Sequence, residues 1–340
     1  MSTFRIGYFG KLPARSDFVK GGAQHELAGL IDEWLAGMMT QLTTNPRWKQ
    51  HYDAAQPLHF AFVGPRSHVA VAGHLAASND QSGRRFPFIA MGTLEVPRPE
   101  SFLPASPLAL APLWQQLGTL ADDVLSAADP AAPLQALNKA VLGTDVASDG
   151  HAAALERFAA DTDVATLESL LGYRPQGSHG THGTHGTHGM HGEHRGSVRG
   201  IVLGIGLLLQ PFAWSGRAEL ERGLVLPLPG APEQRPAVAA FWLALIAPFL
   251  RRAEIELALF VTEIGARPML VVGFSGASAG ALQAIIDPEA APGQLIGFDD
   301  TAWVDDMIAS DHTVQRLSDC LAQGSLSLAA ARELFCETFA

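Results

Sequence analysis

Hydrophobic residues recur along residues 23–42 at three- and four-residue steps, which is the spacing of one helical face. Leu27, Ile31, Trp34 and Met38 belong to this pattern, while charged and small residues occupy the positions between them. A period near 3.6 is typical of an amphipathic helix that buries one side. We therefore predict a helix over this segment.

Four other apolar segments of the first hundred residues are short and are bounded by turn-forming sequences such as Gly-Pro-Arg-Ser and Ser-Asn-Asp-Gln-Ser-Gly. Short apolar runs between such turns are typical of strands. The predicted strands cover residues 4–9, 58–63, 69–76 and 86–96. Mixed α and β structure follows for this part of the chain.

Proline-rich sequence comes next and leads into three helical patterns, at residues 113–125, 134–141 and 152–171. We expect these helices to pack as a layer against the sheet. Farther along the chain, we predict strands at residues 198–209, 256–262 and 268–274. The predicted helices of this second part cover residues 236–252, 277–286, 313–323 and 327–339.

Between these two parts, residues 177–196 repeat the triplet His-Gly-x. Glycine at every third position disfavours both helix and strand, because glycine loses the most backbone entropy on ordering. The chain is thus predicted to be α/β with three parts. They are an N-terminal α/β domain with a helical layer (1–172), a His-Gly-rich linker or loop (173–198) and a C-terminal α/β region (199–340). The last part could be a separate domain or could complete one sheet with the first.

Composition excludes a disordered chain, because 47% of the 340 residues are hydrophobic and only 17% are charged. The formal net charge of −11 disfavours nucleic-acid binding, which needs clustered cations. Residues 1–100 carry ten Lys and Arg against eight acids, whereas residues 201–340 carry eight against sixteen. The acidity therefore lies in the second half of the chain.

We expect a cytoplasmic protein. The first twenty residues lack the apolar run of a secretory signal, and the longest apolar run, residues 237–250, contains Pro248 and is too short to span a bilayer. Cys320 and Cys336 show no metal-ligand spacing, and two free thiols fit a reducing compartment. The sequence predicts neither membrane insertion nor a cofactor, and it leaves the oligomeric state open.

Six histidines of the repeat could wrap a divalent metal ion, since neutral imidazole is a good ligand for such ions. A working metal site also needs partners that orient each ring, and a Gly-Thr repeat supplies none. We favour low-complexity sequence without a metal role and keep a metal-binding loop as the alternative. The residues are His179, His182, His185, His188, His191 and His194.

A second alternative is a serine hydrolase. Residues 276–280 read G-x-S-x-G around Ser278, and Asp306 and His312 could complete a triad in the usual chain order. However, Ser275 and Gly276 stand between the predicted strand and the turn, and His312 lies beside Asp311 at the predicted start of a helix. We therefore interpret Ser278 as a helix cap and expect the chain not to be an enzyme.

Two polar segments, residues 10–19 and 80–88, place charges between apolar anchors, and we call them the first and second signature segments. The charges include Lys11, Arg15 and Asp17 in the first segment. Their simplest interpretation is two turns whose arginines and aspartates satisfy each other, since the guanidinium fork suits carboxylates.

The same segments carry a resemblance to a known family. The first resembles the G-K-L-P-x-R-G-D-F signature of the TagF/ImpM family of type VI secretion-associated proteins, and the second resembles its D-x-x-G-R-R-F/Y-P signature. Where the family usually has glycine, this chain has Ser16. A requirement for positive φ there would strain the loop. The matching residues are Gly10, Lys11, Pro13, Arg15, Asp17, Asp80, Gly83, Arg84 and Arg85.

This resemblance implies a cytoplasmic, non-enzymatic repressor that controls type VI secretion after translation. It implies a partner among the secretion components, such as a forkhead-associated scaffold protein, and an α/β sandwich similar to longin or profilin-like domains. The charged residues of the two signature segments would then form either a docking surface or a structural ion network. Both roles stay open at this point.

Overall fold

The computed structural model describes residues 2–22, 25–146, 148–173, 196–215, 220–251, 253–308 and 311–340. The strands are β1 (Ser2–Arg5), β2 (Gly7–Gly10), β3 (Val19–Gly21), β4 (Leu58–Val63), β5 (Val69–Ala76), β6 (Phe88–Glu95), β7 (Val141–Thr144), β8 (Gly223–Pro227), β9 (Leu257–Ile264), β10 (Arg267–Gly273) and β11 (Leu295–Gly297). The helices are α1 (His25–Leu42), α2 (Trp48–Ala54), α3 (Pro99–Ser126), α4 (Ala131–Lys139), α5 (Asp149–Asp161), α6 (Val164–Leu170), α7 (Val198–Ser215), α8 (Arg235–Leu250), α9 (Ala279–Ile286), α10 (Ala291–Gln294), α11 (Ala302–Ile308), α12 (His312–Ala322) and α13 (Leu328–Phe339).

One sheet runs through the described part of the chain in the order β11-β8-β10-β9-β4-β5-β6-β2-β3. All neighbours in it are antiparallel except β11 and β8, which are parallel. Strand β4 pairs with β9, with Phe60 opposite Phe260. The strands of the first and second parts of the chain therefore share one sheet. Strands β1 and β7 form a separate two-stranded ladder.

Helices cover both faces of this sheet. Successive residues of a strand point to opposite faces, and accordingly Phe60 belongs to the core beneath α1 and α9, whereas Ala61 belongs to the core beneath α3 and α8. The α3–α8 and α1–α9 contacts each join the two parts of the chain. Trp114 and Trp242 fix the first of these layers, since their indole nitrogens donate to the carbonyls of Phe60 (3.0 Å) and Pro227 (2.9 Å).

The α/β prediction is confirmed. The first predicted strand is divided into β1 and β2, the other strands predicted before residue 100 match β4, β5 and β6, and the closing helices match α12 and α13 within a residue or two. The similarity to longin or profilin-like domains stays a prediction. The division into domains also stays a prediction, although the sheet is continuous. Most of the predicted linker lies outside the described residues.

The predicted strand at residues 198–209 is wrong, because these residues form the first part of α7. Apart from Arg199 the segment has no polar side chain, and the period of such an apolar run does not distinguish a buried strand from a buried helix. Helix α7 packs against α8, α12 and α13. At Gly206 the approach is so close that a Cβ would lie 2.4 Å from the Phe339 ring.

Helix α3 begins at residue 99, fourteen residues before the predicted start, and contains Pro104, Pro107 and Pro112. Proline removes one helical hydrogen bond and usually ends or kinks a helix. Here the Ser106 hydroxyl donates to the Leu103 carbonyl at 2.8 Å, in place of the amide that Pro107 lacks. Burial of one side of α3 against the sheet and α8 then outweighs the low propensity.

None of the helices in the described residues is long and apolar enough to cross a membrane. The longest apolar run of the sequence lies in α8, whose residues from Val238 to Ile246 are all buried between α3, α7 and the sheet.

The shared sheet predicts that the two parts of the chain associate without a covalent link. Residues 1–173 and 196–340, produced as separate chains in one cell, should copurify, because the β4–β9 pairing and two helix layers bury apolar surface between them. Size-exclusion chromatography after purification through a tag on one fragment measures this.

A Leu259→Glu variant of the second fragment is the control. Leu259 is fully buried on β9, opposite Ala61 of β4, and a buried charge should abolish the association. Two folded fragments that elute separately without this substitution would contradict the prediction.

Candidate interaction site

Strands β2 and β3 form a hairpin. The loop that connects them contains most of the first signature segment. Gly10 ends β2 with φ at 137°, and it pairs with Phe88 at the start of β6. A Cβ at Gly10 would lie 2.0 Å from the Pro87 carbonyl oxygen. Glycine is thus required where the two signature segments first meet.

The second signature segment is a tight turn built around Asp80. Its Oδ1 accepts hydrogen bonds from the Ser82 hydroxyl (2.7 Å), the Ser82 amide (3.0 Å) and the Arg84 amide (3.0 Å). Gly83 supplies the positive φ of 80° that closes the turn. The Asp80 side chain is fully buried.

The other oxygen of Asp80 holds the two segments together. Lys11 Nζ lies 3.0 Å from Oδ2, and Arg84 Nε donates to the same oxygen at 2.7 Å. Arg84 Nη2 then donates to the Ser16 carbonyl at 2.8 Å. A backbone bond from Gln81 to the Arg15 carbonyl (2.8 Å) adds a further link between the segments.

These contacts determine the ionisation of Asp80. Burial alone would raise the pKa of its carboxyl, but the hydrogen bonds from Ser82, Lys11 and Arg84 outweigh it and hold that pKa well below its usual range. Asp80 is therefore an anion at neutral pH. It is the anionic centre of a network with two cations, one buried and one largely exposed.

Arg85 points away from this network and binds Asp53 of α2 through two hydrogen bonds, Nε to Oδ1 at 2.7 Å and Nη2 to Oδ2 at 2.5 Å. The hydrogen bond from Arg85 lowers the pKa of Asp53. The guanidinium also lies 6.0 Å from the Trp48 ring centroid. Sequence reasoning missed Asp53, because it predicted no helix over residues 48–54.

Three aromatic rings cover the network from one side. Phe18 stacks on Phe9 with centroids 5.3 Å apart and contacts Phe86 edge to face at 4.9 Å. Lys11 Nζ lies 5.0 Å from the centroid of Phe18. Phe18 nevertheless leaves 44% of its surface exposed, and 64% of the Arg84 side chain is exposed beside the same loop.

The remaining signature residues lie at the surface. Pro13 and Asp17 are exposed, and Asp17 accepts a hydrogen bond from the Phe18 amide. Arg15 reaches Asp129 at 3.4 Å in an exposed contact. Ser16 has no positive φ, so its replacement of the family's glycine introduces no strain of that kind.

A second polar cluster lies in the middle of the sheet. His59 of β4 and His74 of β5 are cross-strand neighbours, their Nδ1 atoms are 3.0 Å apart, and His59 stacks on Trp114. Burial and then the neighbouring His74 lower the pKa of His59 to about 3, and burial also lowers the pKa of His74. The pair is neutral at neutral pH, with one Nδ1 donating to the other.

Ser278 is the N-cap of α9, and its Oγ accepts from the Ala281 amide at 3.4 Å. Trp34 Nε1 donates to the Ser278 carbonyl at 3.1 Å. Helix α9 packs with α1 on one face of the sheet, whereas the helix of His312 packs with α7 and α13 on the other face. The structure therefore does not bring Ser278 and His312 together as a triad requires.

Among the described residues, His51, Asp287 and Glu289 place one possible ligand atom each within 4.8 Å of one another. Two of these groups form contacts within the protein. Asn45 Nδ2 donates to Asp287 Oδ2 at 2.9 Å, and Arg47 forms an ion pair with Glu289. The cluster joins α2 to the segment after α9. The six repeat histidines, from His179 to His194, lie outside the described residues.

Comparison with known proteins finds the family that the signature segments resemble. Residues 7–141 match the model of the TagF N-terminal domain, described as type VI secretion system-associated. The chain is also similar to the crystal structure of PA0076 from Pseudomonas aeruginosa PAO1, with 25% identity and a TM-score of 0.36 over 41% of this chain and 64% of that one. The match thus spans less than two thirds of that chain. No curated protein matches this sequence.

The close approach at Gly10 predicts a large cost for any side chain there. Gly10→Ala should lower the free energy of unfolding by about 2–4 kcal/mol, because it combines an unfavourable φ with a steric clash. Gly83→Ala is the matched control, since Gly83 also has positive φ but no atom within 4 Å of a Cβ. The control should lose about 1 kcal/mol. Urea unfolding followed by circular dichroism measures both, and equal losses would contradict the steric explanation.

The neutral histidine pair predicts acid sensitivity near pH 6. The unfolded chain protonates its histidines around pH 6.5 while folded His59 stays neutral, so stability falls as the pH drops below that value. Between pH 7 and pH 5 this should cost on the order of 2 kcal/mol for His59 alone. His59→Gln should lose less stability over that range than wild type. Thermal unfolding across pH checks this, and equal pH dependence in the two proteins would refute it.

Proposed function

We propose that this chain, whose residues 7–141 belong to the TagF N-terminal domain family, is a non-enzymatic repressor of type VI secretion. It acts by binding a component of the secretion apparatus. Association with type VI secretion follows from the family match, whereas repression, the absence of catalysis and the binding mechanism are the proposal.

The observation that carries the proposal is the Asp80-centred link between the two signature segments. It fixes the loop before β3 through buried ionic contacts and leaves the Phe18 ring and the Arg84 guanidinium partly exposed on the fixed loop. A surface that is ordered before binding loses little conformational entropy on association. Aromatic and arginine side chains are also the residue types that most often dominate binding energy.

The docking surface in this proposal consists of Phe18, Arg15 and Arg84. Buried Lys11 and Asp80 position it, and Arg85 anchors the second segment to α2 through Asp53. The partner we favour is a forkhead-associated scaffold protein of the secretion apparatus, and the compartment is the cytoplasm. No cofactor enters the mechanism.

A hydrolase is the alternative of a different class. It would need Ser278 to leave its capping position and to meet a histidine, and the nearest candidate in chain order, His312, lies on the other face of the sheet. A fluorophosphonate probe that labels wild type but not Ser278→Ala would favour the hydrolase. We expect no labelling of either protein.

The repressor proposal predicts a secretion phenotype in a bacterium that carries this gene and a type VI system. Deleting the gene should raise secretion, scored as killing of a susceptible competitor, and the wild-type gene should restore repression. An Arg15→Glu/Phe18→Ser variant should fail to restore it, because it changes the docking surface and replaces none of the groups that donate to Asp80.

The control is Leu30→Ser/Arg222→Glu, which also replaces one large apolar residue by serine and one arginine by glutamate, at exposed positions elsewhere. It should restore repression fully, provided that circular dichroism shows both variants folded. Unchanged secretion after deletion would refute the repressor, and full activity of the Phe18 variant would refute this docking surface. We avoid Arg84→Ala/Arg85→Ala because it would break the internal contacts as well.

A further inference from the structure

A groove of about 740 Å³ lies where the signature hairpin faces the end of α4 and the start of β7. One side of the groove is lined by Ile6, just before β2, and by Tyr8 of β2. Lys20 and Gly21 of β3 and Lys139 at the end of α4 also line it. It is thus formed by the outer end of the nine-stranded sheet and by the segment that enters the two-stranded ladder.

The charge of this groove is opposite to that of the protein. Arg5, Lys20 and Lys139 line it and are exposed, and no carboxylate does so among the described residues. None of the three cations has an ion-pair partner among those residues. On a chain of net charge −11, such a site attracts anionic groups that the rest of the surface repels.

The strand that contributes Lys20 and Gly21 to the groove, β3, is also an edge strand. Strand β3 pairs only with β2 and is the last strand of its sheet in the described structure. An edge strand presents unpaired amide and carbonyl groups, which can bind an extended peptide as an additional strand. Lysine on an edge strand normally discourages such pairing. An acidic peptide is an exception, because its carboxylates would be attracted to the Lys20 ammonium group.

We propose that an extended acidic segment of a protein partner binds in this groove and adds to β3 as a further strand. Backbone hydrogen bonds to β3 supply the register, and carboxylates of the segment pair with Arg5, Lys20 and Lys139. The inference rests on the proposed function only in taking the secretion component as the source of the segment. Because β3 follows directly on the loop of Phe18, such a partner would contact the docking surface and the groove together.

The probe is a fluorescein-labelled nonapeptide of alternating glutamate and valine, titrated into the full chain at low salt and followed by fluorescence anisotropy. Lys20→Glu/Lys139→Glu should weaken binding at least about tenfold, since it reverses two of the three groove charges. Arg222→Glu/Arg316→Glu is the control, because it changes the net charge equally at exposed positions away from the groove. It should weaken binding less than about twofold.

Hydrogen exchange provides the structural readout. The peptide should slow amide exchange at residues 19–21 of wild type, and a peptide of alternating lysine and valine should neither bind nor protect. Equal weakening in both variants would overturn the proposal, as would binding without protection of β3. Duplex DNA that binds as tightly and depends on the same lysines would overturn it in favour of a general polyanion site. These results are independent of the secretion assay, so failure of the repressor proposal is scored separately.

Discussion

Burial of the Asp80 carboxylate is the interaction on which the N-terminal surface depends. A buried charge must be compensated by hydrogen-bond donors. The donors to Asp80 come from its own turn, through Ser82 and Arg84, and from Lys11 of the first signature segment. Ser82 and the Arg84 amide close the turn, Lys11 arrives from the end of β2, and the Arg84 side chain continues to the Ser16 carbonyl. The hydrogen bonds and ion pairs that compensate this one carboxylate therefore also hold together two loops that are distant in the sequence.

The structure shows an ion network among these residues, which is one of the two roles that the sequence left open. Lys11 and Asp80 are too buried to contact a partner, and Arg85 is engaged by Asp53. Arg84 differs from them, because its Nε binds Asp80 while most of its side chain remains exposed. Residues of one motif are thus divided between those enclosed by the protein and one, Arg84, that is largely exposed at its surface. A buried ion pair contributes less to stability than its geometry suggests, so its value here is the fixed position that it gives to the exposed groups.

Sequence reasoning located the signature segments and most strands, because both depend on local signals. Turn residues bound β4, β5 and β6, and the Gly-Lys and Gly-Arg-Arg motifs stand out from their apolar neighbours. It failed where the deciding contact lies far away in sequence. Helix α7 takes its form from packing against α8 and α13, α3 tolerates three prolines because its side is buried, and Asp53 becomes part of the site only through Arg85.

The same limit explains why the positive groove was not foreseen. Its cations lie at positions 5, 20 and 139, and the last of these comes from a stretch of sequence in which acids outnumber bases. Counting charge along the chain places Lys139 in the acidic part, whereas the β1–β7 pairing brings the residues beside it back to the N-terminal strands. Sheet pairing, and not regional composition, decides which charges share a surface. The slightly basic first hundred residues and one distant lysine thereby present a local positive site on a molecule whose total charge has the opposite sign.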